Sequence, residues 1–465
     1  GDGMSNPLNQ IAAHVVRTRT KDLPEAVIDR VKTFLLDTFG VGIAGSSGAG
    51  VSELIQVARG WGKETEASVL GSGDRMCAQS AAVVNAYQIH CLEFDCVHEG
   101  AVLHPMATIL GAVMAWSERQ AGRGSPATGY DLIAALAVGV DVSTMLGVVT
   151  DAELRFFRPA TAGGFGAVAA IGRLAGFDET LMKDAFGAQY SQTSGTLQPH
   201  VEGSPMLGMQ VGFNARAAIV SCDLATAGFR GPHDILTGQY GYFRLFEQDN
   251  QNIDAFLPTL GRHWQMLHMS HKPFPSGRLT HGAVDGLGQL MARHEFAPDD
   301  IASIIARVPP LNHRLVGRPL IGAPEPNYAK LCLAFVAGVF LARGGVNVPD
   351  FLGKDNLQDP DVHRYARLVQ VEKDDNPDLN ALDPQQITVI LKDGQKYVCD
   401  LPHVYGHPDN PLTAEENISK FRRCAGYAAQ PLPTPAQDAL IATIADLESV
   451  DDIAQLMRLS TGDVS

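Results

Sequence analysis

The segment between residues 93 and 104 concentrates side chains that can move protons or hold a charged ligand. Five ionisable groups fall within twelve residues: Glu93, Asp95, His98, Glu99 and His104. Small apolar residues flank the segment at 80–87 and 107–115. Burial raises the pKa of a carboxyl group and lowers that of an imidazole. Both then approach the range used in acid–base catalysis at neutral pH. The same pattern is also typical of a charged loop between two core helices.

Cys96 is the cysteine best placed to act as a nucleophile. Neighbouring carboxylates raise the pKa of a thiol, however, which disfavours the reactive thiolate form. The seven cysteines include no Cys-x-x-Cys pair. This usage disfavours a zinc or iron–sulfur site and is typical of reduced thiols. His268 and His271 have a spacing that fits one helix face, but no third ligand accompanies them. We therefore predict no metal site.

A second candidate region is the loop at residues 272–281, which carries Lys272, Arg278 and His281 and is restricted by two prolines, Pro273 and Pro275. Arginine binds a carboxylate through two parallel hydrogen bonds, and a desolvated lysine can act as an acid or a base. The loop is therefore predicted to bind a carboxylate substrate. A rigid linker with solvated cations is the alternative.

Arg158 precedes a glycine-rich apolar stretch at 163–175 that is predicted to be helical. The N-terminal end of a helix attracts anions, and Arg158 would add to that field. An aromatic-flanked arginine is also often packed through its stem. His200 and the other scattered histidines are predicted to be structural or exposed.

The elements that must position these groups divide into three parts. Helical apolar spacing marks residues 24–38 and 130–140, whereas 300–308 alternates like a half-buried strand. Residues 386–400 read as a hairpin around Asp393 and Gly394. The predicted fold is mainly α, with a smaller α+β domain. The predicted parts are an all-helical domain, an inserted α+β lid domain, and C-terminal helices that rejoin the first: 4–265, 266–411 and 412–465.

Two further elements support this division. Residues 328–341 are predicted to form one buried helix within the lid domain. Thr413, followed by Glu416, has the spacing of a helix cap and opens the C-terminal helices.

Composition excludes several classes of function. The formal net charge of −15 argues against nucleic-acid binding and against anionic membranes. Apolar runs are interrupted before they reach membrane-spanning length, and no leader-like segment is evident, so we expect a cytoplasmic protein. Dinucleotide, Walker and Gly-x-Ser-x-Gly motifs are absent.

Taken together, the motifs resemble the MmgE/PrpD family, which includes 2-methylcitrate dehydratase, cis-aconitate decarboxylase and iminodisuccinate epimerase. The resemblance covers nearly the whole chain and rests on residues 36–45, 85–105, 212–216, 272–281, 329–330, 391–394, 410–413 and 420–422. It implies a homodimer that converts small di- or tricarboxylates, without a cofactor, in a cleft between the helical and lid domains.

The resemblance also assigns site residues. The family's acidic motif falls on Glu93, Asp95 and Cys96, its histidine on His104, and its lysine on Lys272. A histidine of several members falls on His281. The chain differs from the family pattern at four places. Cys96 stands where members commonly have a second aspartate, and a Trp-His-Pro-like element is Phe157-Arg158-Pro159. A lysine is replaced near Leu207, and a loop histidine corresponds to Gly277.

The leading prediction is a lyase of the dehydratase or decarboxylase type. Its predicted catalytic residues are Glu93, Asp95, His104 and Lys272. The substrate-binding residues are predicted to be Arg158, Arg278, His98 and His281. Two alternatives stay open: an epimerase that returns the proton to the opposite face, and a family member that binds carboxylates without converting them. The sequence leaves open whether His98 or His104 faces the cleft.

Overall fold

Helices packed at close range form most of the molecule, and small residues at their contacts permit that distance. The computed structural model describes residues 6–465 and is 57% helix and 8% strand. Helix Gly129–Val148 crosses helix Gly163–Ala175 where Gly139 faces Gly166. A Cβ atom on Gly139 would lie 2.8 Å from the Gly166 carbonyl oxygen, so only glycine allows this crossing.

The first part of the chain is almost entirely helical. Its α-helices are Pro7–Arg17, Glu25–Ala44, Val51–Arg59, Ala78–His90, Pro105–Gly122, Gly129–Val148, Arg158–Thr161, Gly163–Ala175, Glu179–Tyr190, Gln198–Glu202, Met206–Thr226, Tyr242–Phe246 and Ile253–Phe256. Two short antiparallel pairs join Ala67–Ser68 to Arg75–Met76 and Val97–His98 to Met269–Ser270. The second pair ties the acid-rich segment to the loop that carries Lys272.

A four-stranded sheet forms the centre of the second part. Its strands are, in spatial order, Val369–Lys373, Ile301–Val308, Gln385–Leu391 and Lys396–Leu401. The first two are parallel and the remaining pairs antiparallel. The helices of this part are His281–His294, Pro310–Val316, Pro326–Lys330, Leu333–Arg343, Lys354–Leu357 and Pro360–Ala366. Buried side chains of the sheet and helices form cores separate from the helical one. The predicted fold class is confirmed.

The chain ends in the helices Ala414–Tyr427, Thr434–Ala445 and Ala454–Ser460. Helix Ala414–Tyr427 packs against helix Glu25–Ala44 of the first part, where Lys420 forms a buried ion pair with Asp37 at 2.7 Å. The domain limits at 265 and 411 stay predictions, and residue 4, the predicted start, lies outside the described residues.

The predicted helix at 328–341 is wrong in one respect, because it is split into Pro326–Lys330 and Leu333–Arg343. The Gly277 backbone N–H donates to the Lys330 carbonyl oxygen at 2.9 Å, which takes that carbonyl out of the helical ladder. A contact from a distant loop therefore breaks the helix. The strand at 301–308 and the hairpin around Gly394 are confirmed.

Helix Gly129–Val148 is long and apolar enough to cross a membrane by length and composition. In the structure, 89% of its most apolar stretch is buried inside the protein. Its neighbours include the helices Gly163–Ala175 and Pro105–Gly122, so it is a central core helix here.

Candidate active site

The acid-rich segment is a tight connection between two buried helices. Helix Ala78–His90 ends at His90, and helix Pro105–Gly122 begins after His104. Glu93 adopts a left-handed backbone conformation with φ of 52°, as does Val102 at 53°. Such conformations are unfavourable for residues other than glycine and cluster at functional sites. This turn carries the Glu93 carboxylate back toward His90.

Four charged groups form a buried network beneath a cavity. The Lys272 Nζ donates to Glu93 Oε2 at 2.9 Å, and His90 Nε2 lies 3.4 Å from Glu93 Oε1. On its other side, His90 Nδ1 lies 3.1 Å from Asp95 Oδ2. The ring of His90 therefore lies between two carboxylates. Along the row of contacts from Lys272 through Glu93 and His90 to Asp95, positive and negative groups alternate.

His90 is held in its charged form. Burial alone would lower its pKa, but Asp95 and then Glu93 outweigh burial and raise the pKa to about 10. The same contacts act on the acids. Burial opposes ionisation of Asp95, but His90 and His104 bring its pKa well below the ordinary value. Lys272 and His90 likewise hold the pKa of Glu93 well below its usual range, against burial.

His104 differs from His90 because one of its nitrogens is free. Its Nδ1 lies 3.3 Å from the Asp95 carbonyl oxygen and 3.5 Å from Asp95 Oδ2. Burial, and next the charge of Lys272, lower its pKa. A neutral ring that donates from Nδ1 to Asp95 keeps a lone pair on Nε2. Within residues 6–465 that Nε2 makes no hydrogen bond, and His104 lines the cavity. This is the geometry of a general base.

The cavity above the network is small and mostly apolar, with a volume of about 80 Å³. Its polar lining is His90, Glu93, His104, Arg158, His200 and Arg278. Its apolar lining comes from both cores, with Phe157 and Leu207 on one side and Leu279 and Leu382 on the other. Phe157, Arg158, Pro159, Leu207 and Gly277, where the chain differs from the family pattern, all line it.

An outer cavity of about 680 Å³ adjoins the inner one. The two share the lining residues Leu154, Leu197, His200 and Leu315. A larger cavity of about 1240 Å³ shares the lining residue Leu382 with the inner one, and it is lined by acids such as Glu99, Asp151 and Asp378. Those carboxylates would repel an anionic ligand, so the inner and outer cavities suit a carboxylate better.

The structure places two of the predicted substrate-binding residues in internal contacts. Arg158 is fully buried, donates from Nε and Nη2 to both Glu247 carboxylate oxygens, and donates from Nη1 to the Ala101 carbonyl. His98 accepts from the Ala101 N–H at Nδ1 and so donates from Nε2 to Gln265. Burial lowers the His98 pKa to about 4. Although Arg158 borders the cavity, its guanidinium already donates its hydrogen bonds to Glu247 and Ala101. His98 is not among the described residues that line the cavity.

The side chains of Arg278 and His281 also form hydrogen bonds within the protein. Arg278 donates to Glu99 and to the carbonyls of Val404 and Tyr405. His281 lies between Arg278 Nη1 and the Ser276 carbonyl oxygen, and burial, then Arg278, hold its pKa well below the usual value. These contacts fix the loop that presents Lys272. This geometry favours a supporting role for both residues over the predicted direct contact with substrate.

Sequence reasoning missed three residues of the site: His90, His200 and Lys330. His90 had a detectable signal, because it ends an apolar helix three residues before Glu93. His200 lines both cavities although nothing in its local sequence marks it. Lys330 is buried, and its Nζ donates to the Cys91 carbonyl at 2.9 Å.

Two groups have donor atoms close enough for a metal ion: His90 with Asp95 and His104, and Asp383 with His403 and His407. In the first group His90 is the cation between two carboxylates, and a metal would require its neutral form. That group therefore fits proton transfer better than metal binding, and the absence of a metal site stays a prediction.

Fold and network together define a helical protein with a smaller α+β part and a buried acid–base cluster beside a cavity. The family profile of the MmgE/PrpD N-terminal domain matches residues 9–253, and that of the C-terminal domain matches 274–446. The chain belongs to the MmgE/PrpD family, which confirms the resemblance seen in the sequence.

Several relatives match over nearly their whole length. The cis-aconitate decarboxylase of Homo sapiens is 27% identical over 455 residues, covering 95% of this chain and 91% of the relative. The cis-aconitate decarboxylase of Aspergillus terreus is 24% identical over 459 residues, with 95% and 93% covered. A cis-aconitate decarboxylase-like protein of Aspergillus oryzae is 24% identical over 487 residues, with 99% and 98% covered.

Proposed function

We propose that this protein is a cofactor-independent lyase that acts on a small di- or tricarboxylate by general acid–base proton transfer. The observation that carries the proposal is the placement of His104, which lines the cavity while its Nδ1 faces buried Asp95 and its Nε2 makes no hydrogen bond within residues 6–465. The cis-aconitate decarboxylases among its relatives support the reaction class.

In the proposed mechanism, His104 moves the proton at the carbon next to a carboxylate. Asp95 does not line the cavity; it holds the His104 ring and stabilises the imidazolium that forms. Proton removal, or loss of carbon dioxide, leaves negative charge on the substrate. His90 and Lys272 are fixed cations beside that position, and fixed charges in a water-poor site stabilise such a charge strongly.

The local charge balance favours an anionic ligand. His90, Lys272 and Lys330 are the cations, whereas Asp95 and Glu93 are the anions. Burial lowers the pKa of Lys330, and the charge of nearby Glu93 opposes that effect. One net positive charge therefore remains beneath the cavity. A carboxylate neutralises it, while a neutral alcohol or amide does not.

The two lyase reactions use His104 in opposite directions. In a dehydratase, His104 takes the proton from the carbon and the resulting imidazolium can return a proton to the departing hydroxyl group, which leaves as water. In a decarboxylase, carbon dioxide leaves first with the carbon–carbon bond, and a protonated His104 gives its proton to the carbanion that remains. Return of the proton to the opposite face would instead give the epimerase of the alternative hypothesis. The lining positions that differ from the family pattern mean that a substrate search must extend beyond cis-aconitate.

A mass-spectrometric screen of di- and tricarboxylates in deuterated water distinguishes these reactions. Loss of the mass of water marks a dehydratase, loss of the mass of carbon dioxide marks a decarboxylase, and unchanged connectivity with deuterium gain marks an epimerase. Conversion by either loss supports the lyase. Carboxylate binding without any conversion would support the non-catalytic alternative and contradict the proposal.

We also propose that the protein works as a homodimer in the cytoplasm. The support is the behaviour expected of the family and the absence of a cysteine pairing pattern in the chain. Size-exclusion chromatography with light scattering tests the assembly. A mass of twice the 49.7 kDa chain is expected, and a monomer at working concentration would contradict it.

A further inference from the structure

The arginines that line the two cavities fall into two groups. Three of them pair with carboxylates: Arg158 with Glu247, Arg278 with Glu99, and Arg314 with Glu153. Arg155 is exposed to solvent, where water solvates its charge. Arg318 is half-buried, and no carboxylate within residues 6–465 lies at ion-pair distance from it. It is therefore the desolvated lining arginine whose charge has no counter-ion.

Arg318 is held firmly although it is unpaired. Its Nη2 donates to His200 Nδ1 at 2.9 Å, to the His200 carbonyl at 3.0 Å and to the Leu315 carbonyl at 3.0 Å. The Tyr328 ring lies 4.9 Å from the guanidinium carbon. The Nη1 is buried and has no hydrogen-bond partner among the residues that the structure describes. A buried donor without a partner is costly, which indicates that an acceptor completes the site.

The contact with Arg318 also fixes the form of His200. Because His200 Nδ1 accepts a hydrogen bond, the ring is neutral and carries its proton on Nε2. Burial, and next the charge of Arg318, lower the His200 pKa to about 3, so this form persists at neutral pH. His200 lines both cavities and therefore stands where the outer one meets the inner one.

The surroundings favour an anion at this position. Among the described residues, the lining of the outer cavity contains Arg155, Arg314, Arg318 and His200 but no aspartate or glutamate. A guanidinium and a neutral imidazole N–H match the two oxygens of a carboxylate. Resting on the function proposed above, we propose that Arg318 and His200 anchor one carboxylate of the substrate at this junction. The other end of the acid then enters the inner cavity toward His104.

This anchor decides which end of an asymmetric acid reacts. The carboxylate held by Arg318 stays at the junction, and the carbon that reaches His104 belongs to the far end. An acid with only one carboxylate can occupy the anchor without forming a second set of contacts at the inner cavity, which His90 and His104 line. Arg318 is thus a specificity residue, whereas His104 acts on the proton.

Calorimetric titration with succinate, glutarate and cis-aconitate tests the anchor without requiring turnover. We expect Arg318→Gln to weaken binding of the best of these acids by about 10- to 100-fold, the value of a charge-assisted bidentate contact. Arg318→Lys keeps the charge and should lose less. Arg314→Gln is the matched control, because Arg314 lines the same cavity but already has Glu153 as a partner; a change below about threefold is expected.

A neutral analogue isolates the charge. Dimethyl glutarate should bind wild type and Arg318→Gln equally weakly, and the unfolding midpoint of each variant shows that it is folded. Equal acid affinities of folded wild type and Arg318→Gln, or no binding of any acid to wild type, would overturn the anchor. If Arg318-dependent binding occurs without conversion of any acid, the proposed lyase function fails and the anchor stands. If acids are converted and Arg318→Gln leaves KM unchanged, the anchor fails and the lyase stands.

Discussion

Removing Glu93 should destabilise the protein more than removing its partner Lys272. The two side chains are 7% and 0% exposed, and their charged atoms lie 2.9 Å apart. In Lys272→Met the Glu93 carboxylate still faces the charged His90 at 3.4 Å. In Glu93→Gln, by contrast, Lys272 is left buried without a counter-ion, and His90 loses one of its two carboxylates.

The magnitude follows from the behaviour of buried ion pairs. Loss of one partner of a buried pair costs about 3–5 kcal/mol, mostly because the other charge stays buried and unpaired. We expect Glu93→Gln near the upper end of that range and Lys272→Met at the lower end, since His90 still compensates Glu93. The double variant leaves no stranded charge in the pair, so its loss should be well below the sum of the single losses.

Urea denaturation of wild type, both single variants and the double variant measures the four free energies of unfolding. Asp438→Asn is the control, because its pair with Arg422 is 2.7 Å long but exposed. A surface pair of this kind contributes about 0–1 kcal/mol. Additive losses, or a Lys272→Met loss larger than that of Glu93→Gln, would refute this description of the network.

Three further predictions concern the histidines and Asp95. Because His104 must be neutral to take a proton and its pKa is lowered, the acid limb of kcat/KM should lie below pH 6.5; a limb above that value would contradict the assignment of the base. The pKa of His90 is raised, so its contribution to stability is fully present below about pH 6.5 and is lost as pH rises through about 10. Urea titrations should therefore show the difference in stability between wild type and His90→Gln shrinking over that interval, and a difference that grows would be inconsistent. Asp95→Asn should lower kcat by about 10² to 10⁴. His98→Gln should leave kcat within a few-fold of wild type, because His98 lies outside the cavity. Steady-state kinetics measure both values, and a larger loss of kcat in His98→Gln than in Asp95→Asn would exclude this geometry.

The candidate site could be located from the sequence because its main signal is local. Ionisable residues between apolar helices at 80–87 and 107–115 must be carried against the core, and the structure finds Glu93 and Asp95 buried there. The strand at 301–308 and the hairpin around Gly394 have equally local signals, namely alternating apolar residues and a turn dipeptide.

The roles of the cations could not be predicted in this way, because their partners are distant in sequence. Glu247 lies 89 residues from Arg158, and Gln265 lies 167 residues from His98. A sequence shows that an arginine is present but not whether a carboxylate already occupies it. Arg318 is the converse case, since only the three-dimensional structure reveals that no carboxylate of the described residues pairs with it.

The measurement that tests the central claim most directly is the turnover of His104→Asn on an acid that wild type converts. Asparagine can keep a hydrogen bond toward Asp95 but cannot take a proton at the cavity. We predict that kcat falls by at least about 10²-fold while acid binding and the unfolding midpoint stay close to those of wild type. Turnover near the wild-type rate in a folded His104→Asn variant would contradict the claim that this histidine moves the proton.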